Sequence, residues 1–151
     1  MRRILLPVAL ICLLLTVSCS RLSVTPPNGF AELKGRRSYK AISPEGMLYR
    51  IRSVKNDPRK KLEFWGEALE NHLVKEGYRL NGKAQSFTNG DREGVSYEWV
   101  LPYGNESYLY LTALIVTDKT ITLAEATAPY SVFISYRQAL LDSLASIRPR
   151  R

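Results

Sequence analysis

Thiols and imidazoles are scarce in this chain: two cysteines and one histidine in 151 residues. A structural zinc site or a His-rich metal centre asks for more ligands than these, so neither is expected. A Ser–His–Asp or Cys–His triad would have to use His72. On a helical wheel His72 falls beside Trp65, at the border of an apolar stripe, with no local nucleophile to activate. No phosphate-cradling glycine loop and no HExxH pattern occurs. Internal repeats and low-complexity tracts are missing as well. Acidic residues are outnumbered, 14 against 22 basic, for a net charge of +8. That excess favours anionic surroundings but is far from a histone-like tail. What remains, 45% hydrophobic and 24% charged, is the make-up of one folded domain.

Residues 1–20 have a different character. Arg2 and Arg3 precede an uncharged apolar run from Ile4 to Val17, and Ser18-Cys19 follows it. This is the layout of a secretory signal, and the run is shorter than the roughly 20 residues of a spanning helix. Leu15-Thr16-Val17-Ser18-Cys19 resembles the bacterial lipobox, in which a small residue precedes a lipidated cysteine that becomes the first residue of the mature chain. Thr16 stands where that family usually has leucine. The resemblance implies lipidation at Cys19. Cleavage would remove Cys12 and leave Cys19 as the single thiol, so no internal disulfide is expected. Ser20, rather than Asp, follows Cys19. By resemblance to the Gram-negative sorting rule, this implies the outer membrane, facing the periplasm. Ser20–Asn28 would stretch to roughly 30 Å and hold the domain near its membrane. The expected organisation is a signal peptide over 1–18, lipidated Cys19 and tether over 19–28, one domain over 29–147 and a basic tail over 148–151.

Within the domain, Ser38–Ser43 and Met47–Val54 read as strands joined at Pro44-Glu45-Gly46, a loop length that suits a hairpin with Gly46 left-handed. Pairing Ala41 with Tyr49 and Tyr39 with Ile51 gives one apolar face, and sets Lys40 opposite Arg50 and Ser38 opposite Arg52 on the other. Asp57-Pro58 reads as a helix start, with Gly77 as the stop. Leu62, Trp65, Leu69 and Leu73 form the buried stripe of that helix. Tyr78–Leu80 is a short strand, and 83–94 is mostly loop, with a short strand near Phe87. Val95–Leu101, Ser107–Thr117 and Thr120–Ala128 are stronger strands, the middle one apolar on both faces. Ser131 is expected to cap a last helix running to about Ile147, with Phe133, Tyr136, Leu140, Leu144 and Ile147 buried. The fold class is α+β: an antiparallel sheet flanked by amphipathic helices in an α/β/α sandwich.

The hairpin before a long helix, the meander, and the stretch LAEATAPYSVFISYRQALLDSLASI over 123–147 resemble the PsbP-like fold. That group includes the extrinsic PsbP subunit of photosystem II, a yeast nuclear-transport factor and many bacterial lipoproteins. The resemblance covers residues 38–147 as an order of elements and a packing pattern. It carries no catalytic or binding residue with it.

Candidate chemistry is thin. Asn89–Gly94 matches half of a calcium loop, but the twelfth position is Val100, and turn chemistry explains the segment. Glu63, Glu67 and Glu70 read as a solvated helix face. Glu125 shares parity with Ile121 and Leu123 and is expected to serve structure, with Arg137 as a partner. Tyr97, Trp99, Tyr103, Tyr108 and Tyr110 cluster in one hairpin region, at least half of them core, the remainder free to form a shallow ligand surface. Lys40, Arg50 and Arg52 share one hairpin face and form a candidate anion-binding patch, because like charges opposite each other call for a nearby acidic group or a bound anion. No metal and no cofactor is expected. The resulting reading is an envelope-anchored, non-enzymatic binding or accessory module, with a small-ligand carrier using a pocket between sheet and helix as the alternative. Its membrane contact is the lipid at Cys19. An envelope protein or an anionic lipid is the candidate partner, and nucleic acid is disfavoured by the address.

Overall fold

The computed structural model describes residues 22–35 and 38–148. Eight strands and two helices follow one another as β1 (Ala31–Leu33), β2 (Tyr39–Ile42), β3 (Leu48–Lys55), α1 (Leu62–Lys75), β4 (Arg79–Leu80), β5 (Gln85–Asn89), β6 (Arg92–Tyr103), β7 (Glu106–Val116), β8 (Thr120–Pro129) and α2 (Tyr130–Ser146). The strands form one sheet in the order β1-β2-β3-β8-β7-β6-β4, with β5 also pairing β6. Every pairing is antiparallel.

The first hairpin has the register its side chains demand. Tyr39 faces Ile51, Ala41 faces Tyr49 and Lys40 faces Arg50. Gly46 closes it at φ 86°, a left-handed conformation that a side chain would strain. Ala41, Tyr49 and Ile51 are fully buried.

One face of the sheet carries α2. Leu109, Leu111 and Ile115 of β7 and Tyr49 and Ile51 of β3 pack with Phe133, Leu140, Leu144 and Ile147. Ala124, Ala126 and Ala128 of β8 leave room for the helix to approach. The helix starts at Tyr130 behind Pro129, so Ser131 sits inside the first turn, where its carbonyl accepts the Ser135 hydroxyl at 3.0 Å rather than capping the end.

The opposite face carries α1 over β4, β6 and β7. Leu73 packs on Tyr97 and Trp99, with Leu69, Tyr78, Leu80, Val95 and Tyr110 around them. The Trp99 indole donates to Thr112 Oγ1 at 2.9 Å, so a fully buried polar group is satisfied. Buried Gly66 lets the helix come down onto the Tyr97 hydroxyl. Gly77 (φ 89°) ends the helix as expected: the amides of Tyr78 and Gly77 bond the carbonyls of Leu73 and Val74 at 3.0 and 3.1 Å.

The start of α1 differs from the expected Asp57-Pro58. Buried Asn56 holds the preceding loop instead. Its amide donates to the carbonyls of Lys60 (2.9 Å) and Thr117 (2.8 Å), and its oxygen accepts the Lys60 amide (3.0 Å) and the Trp65 indole (2.9 Å). With both backbone groups of Lys60 bound to Asn56, helix begins only at Leu62, and exposed Asp57 pairs with Lys55 at 3.2 Å. A second difference lies in 83–94. Most of it is β5 and the start of β6, turning at Gly90, and Phe87 lies across Gly94.

The N-terminal segment is fastened to α2. Leu22, Val24 and Phe30 pack against the α2-side core, and Ser23 pairs with Arg148 in an antiparallel bridge. Thr25 donates its amide to Ser146 Oγ at 2.9 Å and accepts the buried Ser143 hydroxyl at 2.7 Å. Phe30 meets Tyr136 edge-on at 5.2 Å. The part of the expected tether that is described, from Leu22 onward, therefore lies along the helix. Cys19 and residues 149–151 of the basic tail lie outside the described residues.

Candidate functional site

Because α1 reaches only β4, β6 and β7, the same face of β8, β3, β2 and β1 has no helix over it among the described residues. Strand alternation sets Lys40, Arg50, Arg52 and Glu125 there, on neighbouring strands, with Lys40 and Glu125 on either side of Arg50. The three cations expected to share a face do so, and the acidic group called for by their repulsion is Glu125.

Glu125 is the hub. Its Oε2 accepts Arg50 Nη2 at 2.9 Å and Nε at 3.2 Å, and lies 3.5 Å from Arg52 Nε. Its Oε1 accepts the Tyr110 hydroxyl at 2.7 Å. The Glu125 side chain is only 13% exposed, whereas Arg50 and Arg52 remain 42% and 48% exposed, so the guanidiniums reach solvent from an anchored base. Burial, then the hydrogen bond to Glu125, pushes the Tyr110 hydroxyl far above its ordinary pKa, which keeps it a proton donor. Among the described residues Lys40 takes part in no ion pair.

Beside this cluster, where α1 ends, the sheet and Tyr78 enclose a groove of about 530 Å³. Its walls include Leu48, Leu101, Tyr78, Tyr108 and Tyr110, and Arg50 and Glu125 reach it from the polar side. Tyr78 and Tyr110 meet with ring centroids 5.6 Å apart. The aromatic cluster thus divides. Tyr97 and Trp99 stack at 5.6 Å inside the α1-side core, while Tyr108 and Tyr110 line the groove; the Tyr103 side chain is outside the described ones. Tyr78 and Leu48 were not singled out by sequence. Tyr78 is brought in by the turn at Gly77, and Leu48 only by its parity with Arg50 and Arg52.

The other candidates fall apart from this place. Arg137 does not meet Glu125, because β8 turns Glu125 to the face opposite α2. It pairs instead with Glu98 at 2.7 Å and lies over the Phe133 ring. His72, Glu63 and Glu67 are exposed on α1, and Glu70 is half-buried. In the 89–94 turn, fully buried Asn89 donates to the carbonyls of Leu144 and Ala145 at 3.0 and 3.1 Å and accepts Arg148 at 3.1 Å. It closes the end of α2 and is spent as a ligand. Among the described residues no group of three or more His, Cys, Asp or Glu could hold a metal ion.

No protein-family model matches the chain, and no curated protein matches it. Solved structures do. LpqN of Mycobacterium tuberculosis, described as involved in cell envelope biogenesis, aligns at a TM-score of 0.60 with 11% identity over 85% of this chain and 83% of its own. The cyanobacterial PsbP protein of Synechocystis (CyanoP) aligns at 0.57 with 10% identity over 89% of this chain and 96% of its own. The fold is PsbP-like. A Pseudomonas aeruginosa protein of unknown function, PA94, shares it at a TM-score of 0.61 and 10% identity, over 89% and 88% of the two chains. At such identities the PsbP-like architecture is common to them, and site residues are not carried across. No helix among the described residues is long and apolar enough to cross a membrane.

Proposed function

We propose that this chain is an envelope-anchored, non-enzymatic accessory module that binds its partner through the groove on the sheet face that no helix covers among the described residues. The observation that carries the reading is the groove itself: aromatic and aliphatic walls beside a fixed Arg50–Glu125–Tyr110 cluster. Such a combination of apolar surface with a few oriented polar groups suits recognition. A nucleophile–base pair is not part of it, since the single histidine stands exposed on α1. The envelope address rests on the signal-like residues 1–20, on the lipobox resemblance at Cys19, and on a PsbP-like neighbour tied to envelope biogenesis.

The fastened N-terminal segment supports an orientation. Only Ser20 and Arg21 separate Cys19 from Leu22, a reach of roughly 10 Å. Ser23 bridges Arg148 at the end of the sheet where Asn89 closes α2. The groove opens at the other end, where Tyr108 pairs with Pro129 and Leu48 with Thr127, roughly 25 Å along the strands. A bilayer holding Cys19 would then lie under the closed end and leave the groove facing the aqueous side. This favours a partner on that side over anionic lipid of the same membrane. The groove volume, within the range of small-molecule sites, also favours the carrier reading.

Photocrosslinking in intact cells tests the proposal. A photoreactive residue at Leu48 should give a discrete adduct, whereas one at Lys119, at the closed end, should not. Cys19→Ser should release the chain from membranes. A Ser variant that stays bound after carbonate washing removes the anchor from the reading. Identical adducts from both positions remove the groove.

A further inference from the structure

The groove meets the cation patch at Arg50, which lines the groove and stands across from Lys40, and their chemistries together define a ligand. We propose that the site binds a small organic carboxylate with a flat apolar body, the carboxylate held by Lys40, Arg50 and Arg52 and the body lying against Tyr78, Tyr108 and Leu48. The proposal rests on the groove being the binding surface and adds what occupies it.

Charge is the first argument. Three cations on adjacent strands meet one carboxylate, Glu125, and Lys40 stands directly across from Arg50 without an ion pair among the described residues. Like charges in that position destabilise a sheet unless an anion lies between them. Glu125 has little left to give, since its oxygens already accept Tyr110 and Arg50, and Arg52 Nε stands 3.5 Å from one of them. Arg50 spends Nε and Nη2 on one oxygen of Glu125 and leaves Nη1 for a ligand; Arg52 touches Glu125 only through Nε. Guanidinium forks match planar oxyanions, and here Glu125 and Tyr110 hold one of them in place before any ligand arrives.

Shape is the second. The space of about 530 Å³ fits a compact molecule, and its aromatic walls favour a flat ring. Leu48, 39% exposed, would gain cover from it. A bare inorganic anion would leave these walls wet, and a neutral apolar molecule would leave the cations unused.

Calorimetry with 2-naphthoate as the probe decides the matter. The full chain is placed in nanodiscs of neutral phosphatidylcholine, with empty nanodiscs as blank, beside the neutral control 2-naphthylmethanol. Naphthoate should bind at least about tenfold more tightly than the alcohol, and Lys40→Gln with Arg52→Gln should weaken it by about tenfold or more. Leu48→Asn should weaken both compounds. Raising salt from roughly 0.05 to 0.5 M should weaken naphthoate alone. Equal affinity for the two compounds overturns the proposal, and so does naphthoate binding that the double variant leaves unchanged. Lys119→Gln, far from the groove, checks that loss of charge alone has no effect. Failure here together with a Leu48 protein adduct would leave the binding module standing and remove only the carboxylate. Naphthoate binding without any adduct would do the reverse.

Discussion

Gly66 is where one methyl group should change sign with its background. In most helix interiors Gly→Ala stabilises by about 1 kcal/mol, through the unfolded chain and the helix propensity. At Gly66 a Cβ would stand 2.6 Å from the Tyr97 hydroxyl. That hydroxyl has little freedom to withdraw, since Tyr97 is 5% exposed and stacks on fully buried Trp99. Either α1 lifts or the stacked pair shifts, an overpacking cost of about 1–3 kcal/mol. The net expectation for Gly66→Ala is therefore a loss of up to about 2 kcal/mol. Tyr97→Phe removes the obstructing oxygen, and the nearest remaining atoms, Val95 Cγ1 and Tyr97 Cζ, lie at 3.7 and 3.8 Å, ordinary contact distances. In that background the same substitution should stabilise by up to about 1 kcal/mol. Urea unfolding of the four proteins, with m unchanged, measures the difference. If Gly66→Ala shifts the midpoint equally with and without the hydroxyl, the close packing of α1 on Tyr97 is refuted.

Glu125→Ala should destabilise by about 1–3 kcal/mol, mostly through the stranded Arg50 and Tyr110 partners and discounted because both arginines are partly exposed; a melting temperature within error of the parent would contradict the hub. Asn89→Ala should cost about 2 kcal/mol, since it frees the Leu144 and Ala145 carbonyls and one Arg148 contact, and hydrogen exchange should quicken first at the end of α2. Tyr39, Tyr49 and Tyr110 are raised above the ordinary phenol range, foremost by burial, so each favours the folded state below about pH 10 and that contribution is lost as pH climbs through the raised values. Phenolate absorbance should accordingly lag in the folded protein and catch up on unfolding in urea; coincident titration curves would contradict the burial.

Much of the fold was legible because it depends on periodicity. The first hairpin follows from alternation and one glycine, and the alanines of β8 announce a helix close by. The start of α1 was not legible. Asp57-Pro58 has the local chemistry of a helix start, but Asn56 reaches Thr117, distant in sequence, and that tertiary bond decides the boundary. β5 was obscured because its residues are mostly exposed and polar, with Phe87 as its one large apolar side chain. At the candidate site, parity alone grouped Lys40, Arg50 and Arg52. Choosing between Arg137 and the hairpin arginines as partners of Glu125 required knowing which face α2 covers, and this is a property of the assembled layers.

The borders of the sheet have a consequence of their own. An open antiparallel sheet offers unpaired amides and carbonyls at both margins, and a long flat margin recruits strands from other molecules. Here neither margin is long. One is β1, three exposed residues between Gly29 and Gly35. The other would be the 12-residue β6, but β5 takes its first part and two-residue β4 its last, with the Asn81 amide bonding the Glu98 carbonyl at 2.8 Å between them. Under the proposed envelope anchoring, the chain would cross a membrane unfolded and then fold crowded with its copies on a surface, where strand exchange is the main hazard. Three short strands spread over two borders leave such exchange few consecutive bonds to gain.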